Sequence, residues 1–171
     1  MKKNEVTNKV PKIGISQIEL LQKLSEACAV SGNETAVREI VVKETRAIAD
    51  EFKIDALGNV LVTRKSKTEN PLRVMVAAHM DEVGFMLVEE DGDSLFRFEP
   101  VGGINPQILP GKPVWVGKNN VPGIIGAKPI HLTTSDERRN PIPLESLRID
   151  LGPGGSKKVK LGDRATFATR F

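Results

Sequence analysis

The stretch that most constrains this chain is Leu72 to Glu89, LRVMVAAHMDEVGFMLVE. Val74, Met75, Val76, Ala77 and Ala78 form an apolar run without charge or breaker, the pattern of a strand buried on both faces. The run stops at His79, Met80, Asp81 and Glu82, and Gly84 starts a second apolar run from Phe85 to Val88. A buried strand that delivers an imidazole and a carboxylate at its carboxyl end places them where open α/β sheets do their chemistry.

The residues before it supply the other elements of an α/β domain. Ser16 with Glu19 has the spacing of a capping box, and Ile18, Leu21, Leu24 and Cys28 follow at helical intervals. Ser31-Gly-Asn-Glu34 repeats the device ahead of Val37, Ile40, Val41 and Ile48. The spacing thus predicts two amphipathic helices that need a sheet to cover. Phe52–Asp55 and Val60–Thr63, joined through Gly58-Asn59, predict a hairpin, and a charged loop ending at Pro71 leads into the buried run.

After His79 the helical period disappears. Short strands alternate with Gly- and Pro-bearing turns: Gly84–Glu89, Leu95–Val101, Val114–Val116, Val121–Ile125, Arg148–Leu151 and Ala165–Phe171. This predicts a small β-barrel or sandwich inserted into the α/β domain. Residues 126–147 read as a long polar loop of the functional or mobile kind. The division expected is a flexible tail over 1–14, the first part of the α/β domain over 15–79, the inserted β-rich domain over 80–163, and a return to the α/β domain over 164–171.

Composition excludes several function classes. With 171 residues, 39% hydrophobic and 27% charged, the chain has the balance of a soluble globular protein. Aromatic residues make up 4%, with one Trp and no Tyr, and the net charge is +3, so neither a base-stacking platform nor a basic nucleic-acid face is expected. No run approaches the roughly 20 apolar residues of a membrane span, and no apolar segment follows the charged start MKKNEVTNKVPKIG. The single Cys28 fits a reducing compartment and reads as a small apolar residue. A cytoplasmic location is expected, with no nucleic acid and no membrane partner.

His79 and Asp81 are two apart, so on a strand they share a face. A metal-binding His is commonly oriented by a carboxylate, and a base with its orienter has the same pattern; a hydrogen-bonded structural pair is the third reading. Glu89–Glu90 could supply a ligand and a base, but they read as the solvated end of a hairpin ahead of Asp91-Gly92-Asp93. His131 reads as a loop residue. Gly152-Pro-Gly-Gly155 makes a poor phosphate loop, and Arg138–Arg139 reads as a solvated charge run or an intersubunit contact.

Several stretches in unbroken order carry a resemblance: SGNE at Ser31–Glu34, DALGNV at Asp55–Val60, AAHMDEVGFMLV at Ala77–Val88 and VGGINPQILPG at Val101–Gly111. VPGIIGAKPIHL at Val121–Leu132, PIPLESLRIDLG at Pro141–Gly152 and LGD at Leu161–Asp163 continue it. From about Ile18 onward the chain resembles the amino-terminal half of the cytosolic metallo-aminopeptidases of metallopeptidase family forty-two. These are glutamyl, leucyl and tetrahedral aminopeptidases, some described as endoglucanases.

The resemblance implies a partial α/β catalytic domain with an inserted β-barrel used for dimerisation, and a hydrolase with two divalent metal ions, zinc or cobalt. His79 falls on the first metal ligand and Asp81 on the catalytic Asp that orients the site. Peptides would be the substrates, and the subunits would form homo-oligomers through the β-rich domain. The family's bridging Asp, Glu–Glu pair, further Asp and second His would all follow Phe171. The chain by itself is therefore expected to be truncated and inactive, with a separate carboxyl-terminal half or a non-catalytic self-association role as the alternatives.

Overall fold

The structure is a computed structural model, and it describes residues 12–136 and 138–171. The expected tail over 1–14 therefore lies outside the described residues except at its end.

Helix α1 spans Ile15–Glu26 and α2 spans Thr35–Thr45. Their starts differ from the expected capping boxes. The cap residue of α1 is Gly14, whose N–H donates to the Gln17 Oε1 at 2.9 Å. That of α2 is Glu34, whose carboxylate accepts from the Gly32 N–H. Neither Ser16 nor Ser31 caps a helix, because the chain enters each helix two or more residues away from the position a capping hydroxyl needs. Strands β1 (Glu51–Ile54) and β2 (Val60–Thr63) pair antiparallel in register Glu51 with Thr63. The Asp55 carboxylate closes their turn by accepting the N–H groups of Leu57 and Asn59 and the Asn59 side-chain amide. Gly58 there sits at φ 87°, a conformation that costs glycine little.

The buried strand expected over 73–78 does not form. Val74, Met75 and Val76 are 75%, 89% and 91% exposed, and residues 71–81 carry no strand assignment. The physical reason is pairing: a strand needs a partner on at least one edge, and one buried on both faces needs cover as well. Among the described residues the α/β part offers only the two-stranded sheet β1–β2, which does not reach this segment. The apolar sequence signal is real, but nothing described here covers it.

The β-rich part closes fully. Strands β3 (Gly84–Glu90), β4 (Leu95–Val101), β5 (Pro113–Val116), β6 (Val121–Gly126), β7 (Arg148–Asp150) and β8 (Arg164–Phe167) form a barrel in the order β3-β4-β7-β6-β5-β8. Closure removes the unpaired edges that an open sheet would expose. Period-two alternation fills the interior: Phe85 and Leu87 point in from β3, Phe96 and Phe98 from β4, Val114 and Val116 from β5. Phe85 meets Phe98 and Phe167 edge to face, with ring centroids 5.0 and 5.3 Å apart.

The molecule is thus a mixed α/β chain with a closed six-stranded barrel. One expected boundary moves. Residues 164–167 do not leave the barrel; as β8 they pair with both β3 and β5 and close it. The loop over 126–147 also contains two short 3-10 turns, Ile130–Leu132 and Leu144–Ser146.

Candidate metal-ligand site at the seam

The site lies where the segment after α1 meets the entry to the barrel. Ala29 and Val30 are buried, and Val30 forms a parallel bridge with Glu82. The Glu82 N–H donates to the Ala29 carbonyl at 2.8 Å, and Glu82 Oε1 accepts from the Ala29 N–H at 3.2 Å and the Thr166 hydroxyl at 2.6 Å. Glu82 therefore ties together the α/β part, the site segment and β8. Gly84 makes the same seam tight, since a Cβ there would stand 2.5 Å from Val30 Cγ2 and 2.6 Å from the Ala165 carbonyl oxygen.

Directly before this anchor, Asp81 accepts from the Ser31 hydroxyl through Oδ2 at 2.5 Å. Its other oxygen, Oδ1, lies 3.2 Å from His79 Nδ1, and its carbonyl oxygen lies 2.9 Å from the same nitrogen. Both neighbours of Nδ1 are acceptors, so in the neutral ring the proton sits on Nδ1 and Nε2 keeps its lone pair. The Ser31 hydroxyl, and with it the His79 imidazole, hold the Asp81 carboxyl below its ordinary value against a smaller opposing effect of desolvation. The His79 side chain is 85% exposed, leaving Nε2 open. A neutral imidazole with one nitrogen donated to a carboxylate and the other free is the arrangement of a metal-binding histidine.

That fit covers one position of a coordination sphere. Among the described residues no group of three or more His, Cys, Asp and Glu side chains stands close enough to hold an ion, and a zinc site takes about four ligands. Glu89 is engaged elsewhere, pairing across the strands with Arg97 Nη1 at 2.6 Å. His131 sits exposed in the 3-10 turn Ile130–Leu132. Gly152–Gly155 runs into a four-residue 3-10 turn rather than a helix, so it has no phosphate-binding helix end. Arg139 lies 4.0 Å from Asp136, an exposed contact between two solvated side chains. Burial and the neighbouring Glu82 push the Cys28 thiol up, which disfavours the thiolate.

Sequence reasoning missed Ser31 and Glu82 as parts of this site. Ser31 is 50 residues from Asp81, and its setting reads as a helix start. Glu82 reads as one more charge after His79. Neither long-range bond has a local spacing signal.

The pattern of the M42 glutamyl aminopeptidase family matches residues 58–171. The chain belongs to this family. Within M42-related proteins, the lysyl aminopeptidase of Pyrococcus furiosus is 33% identical over 162 residues, covering 90% of this chain and 46% of that protein. The TET aminopeptidase of a marine sediment archaeon of the Thaumarchaeota superposes with a TM-score of 0.81 at 32% identity, covering 90% of this chain and 44% of the other. The TET1 peptidase of Pyrococcus horikoshii, which can assemble into a tetrahedron or a large octahedral shell, gives a TM-score of 0.73 at 35% identity over 88% and 46% of the two chains. The chain thus spans less than half the length of these M42 relatives. No helix among its described residues is long and apolar enough to cross a membrane.

Proposed function

We infer that this chain works as the amino-terminal part of a metal-dependent aminopeptidase that releases amino-terminal residues from peptides. The observation that carries the reading is the exposed Nε2 edge of His79: both Asp81 contacts fall on Nδ1, so in the neutral ring Nε2 is the nitrogen left without the proton. In this role His79 holds a divalent metal, zinc or cobalt, through Nε2, and Asp81 fixes the ring and its tautomer. A metal pair, when bound, supplies Lewis acidity and an activated water. The rest of what this chain contributes is placement: Glu82 anchors the site segment to β8, and Ser31 fixes the Asp81 carboxylate.

The family membership and the share of the relatives' length point to further ligands supplied by polypeptide outside these 171 residues. In that arrangement residues 15–79 belong to the catalytic α/β domain, and the barrel, now ending with β8, is the inserted domain through which copies associate. Peptides are the substrates and the cytoplasm the location; in the alternative of a split enzyme, a separate carboxyl-terminal half supplies the further ligands. A non-catalytic self-association role is the second reading, in which the barrel, closed around its own core, folds without the rest of a catalytic domain.

The test is a metal titration and aminoacyl p-nitroanilide assay on the 171-residue chain, alone and fused to the carboxyl-terminal half of an M42 aminopeptidase. The chain alone should neither bind zinc or cobalt stoichiometrically nor turn over, and the fusion should do both. A fusion that folds, binds no metal and shows no turnover sinks the reading in favour of the association role.

A further inference from the structure

We propose that Ser31 is a positioning residue for the His79 site: its hydroxyl fixes the Asp81 carboxylate so that Asp81, in turn, fixes the orientation and tautomer of His79. The proposal rests on the metallo-aminopeptidase reading, which supplies the reason for an ordered, unprotonated Nε2.

The argument begins with what His79 lacks. Its ring is 85% exposed, and residues 71–80 have no ladder bonds to hold the backbone beneath it. Packing therefore does not orient the imidazole; the contacts to Asp81 do. A free aspartate turns about its terminal bond, which has broad minima, so a carboxylate alone would be a poor guide. Asp81 is not free. Ser31 takes Oδ2 at 2.5 Å, which leaves Oδ1 turned toward Nδ1 at 3.2 Å.

Ser31 can do this because its own position is determined. Ala29 and Val30 precede it in the buried seam, and the Asn33 N–H closes a turn onto the Val30 carbonyl at 2.8 Å. Gly32 takes φ 82° within that turn, and its N–H is held by the Glu34 carboxylate. The hydroxyl is not used by the following helix, since α2 starts at Thr35 with Glu34 as its cap residue. A rigid turn thus passes its order through one hydroxyl and one carboxylate to an exposed imidazole 48 residues further along the chain. A carboxylate is the stronger acceptor of the two that Asp81 offers, so losing its alignment leaves Nδ1 with a neutral carbonyl in competition with water.

The test uses the uniformly 15N-labelled 171-residue chain without metal, at a pH where both histidines are neutral. Two-bond proton–nitrogen correlations report the tautomer of His79, with His131 as an internal reference. The unaltered chain should show His79 protonated on Nδ1. Ser31→Ala should shift His79 toward the Nε2–H form that free imidazole side chains favour, leave His131 unchanged, and leave the Trp115 indole signal of the barrel in place. Ser31→Thr, which keeps the hydroxyl, should restore the Nδ1–H pattern. In the fusion with an M42 carboxyl-terminal half, Ser31→Ala should weaken metal affinity by about 10–100-fold, with Thr again restoring it. Should Ser31→Ala fail to fold, Ser31→Cys, close in size and a weak donor, gives the same reading. A folded Ser31→Ala or Ser31→Cys chain with the unaltered His79 pattern overturns the proposal. Failure of the aminopeptidase reading looks different: the tautomer lock stays intact while the fusion binds no metal through His79.

Discussion

The Thr166 hydroxyl donates to Glu82 Oε1 at 2.6 Å, joining the last strand of the barrel to the residue that follows the candidate ligand segment. Thr166 is almost fully buried, and the carboxylate it serves also accepts the Ala29 N–H. One side chain therefore couples the segment between α1 and α2, the site and β8. Thr166→Val keeps the shape and removes the donor, leaving a half-buried carboxylate with one partner fewer. A loss of about 1.5–3 kcal/mol in urea unfolding is expected, the worth of a hydrogen bond to a charged group. Unfolding indistinguishable from that of the unaltered chain would show that water replaces the hydroxyl there without penalty.

Gly84 is the tightest point of the same seam. An alanine Cβ would meet Val30 Cγ2 at 2.5 Å and the Ala165 carbonyl oxygen at 2.6 Å, and only the first neighbour is a side chain. Gly84→Ala should destabilise by about 1–3 kcal/mol. Adding Val30→Ala should recover part of that loss, because the backbone contact with β8 remains. A double-mutant cycle measures the coupling, and strict additivity of the two changes would argue against the close approach.

The β1–β2 hairpin carries a pH dependence. The Asn59 side-chain amide, then the backbone N–H groups of Asn59, Leu57 and Gly58, hold the Asp55 carboxyl below its ordinary value, against an opposing effect of desolvation. The folded value is depressed, so the contribution to stability is fully present above the ordinary carboxylate value and is lost as pH falls through the folded one. NMR titration of Asp55 should give a midpoint below that of a free aspartate, with the amide signals of Leu57 and Asn59 following the same curve. Asp55→Asn should remove this transition, and a midpoint at the ordinary value would contradict the turn geometry.

How much of this could be read from the chain depends on the range of the forces involved. Barrel strands were legible because alternation such as Phe85-Met86-Leu87 is a local record of which side faces the core. The β1–β2 turn was legible from Gly58-Asn59, whereas Asp55, expected as the last strand residue, lies outside β1 and closes the turn through its carboxylate. The run Val74–Ala78 has the composition of a buried strand, yet burial depends on partners, and no described strand pairs with it. The end of the barrel was misplaced because β8 is defined by pairing with β3 and β5, which its own four residues do not announce. At the site, His79 and Asp81 were expected to share a strand face; they meet instead in a segment with no strand assignment, and Ser31 and Thr166 reach this segment across 50 and 84 residues.

The most direct measurement of the central claim is cobalt-dependent hydrolysis of aminoacyl p-nitroanilides by the fusion with an M42 carboxyl-terminal half, compared before and after His79→Ala. The account predicts that the unaltered fusion binds two cobalt ions and turns over. His79→Ala should lower the bound metal and abolish turnover while leaving the barrel folded. Full metal loading and undiminished turnover in His79→Ala would remove His79 from the metal site and contradict the account.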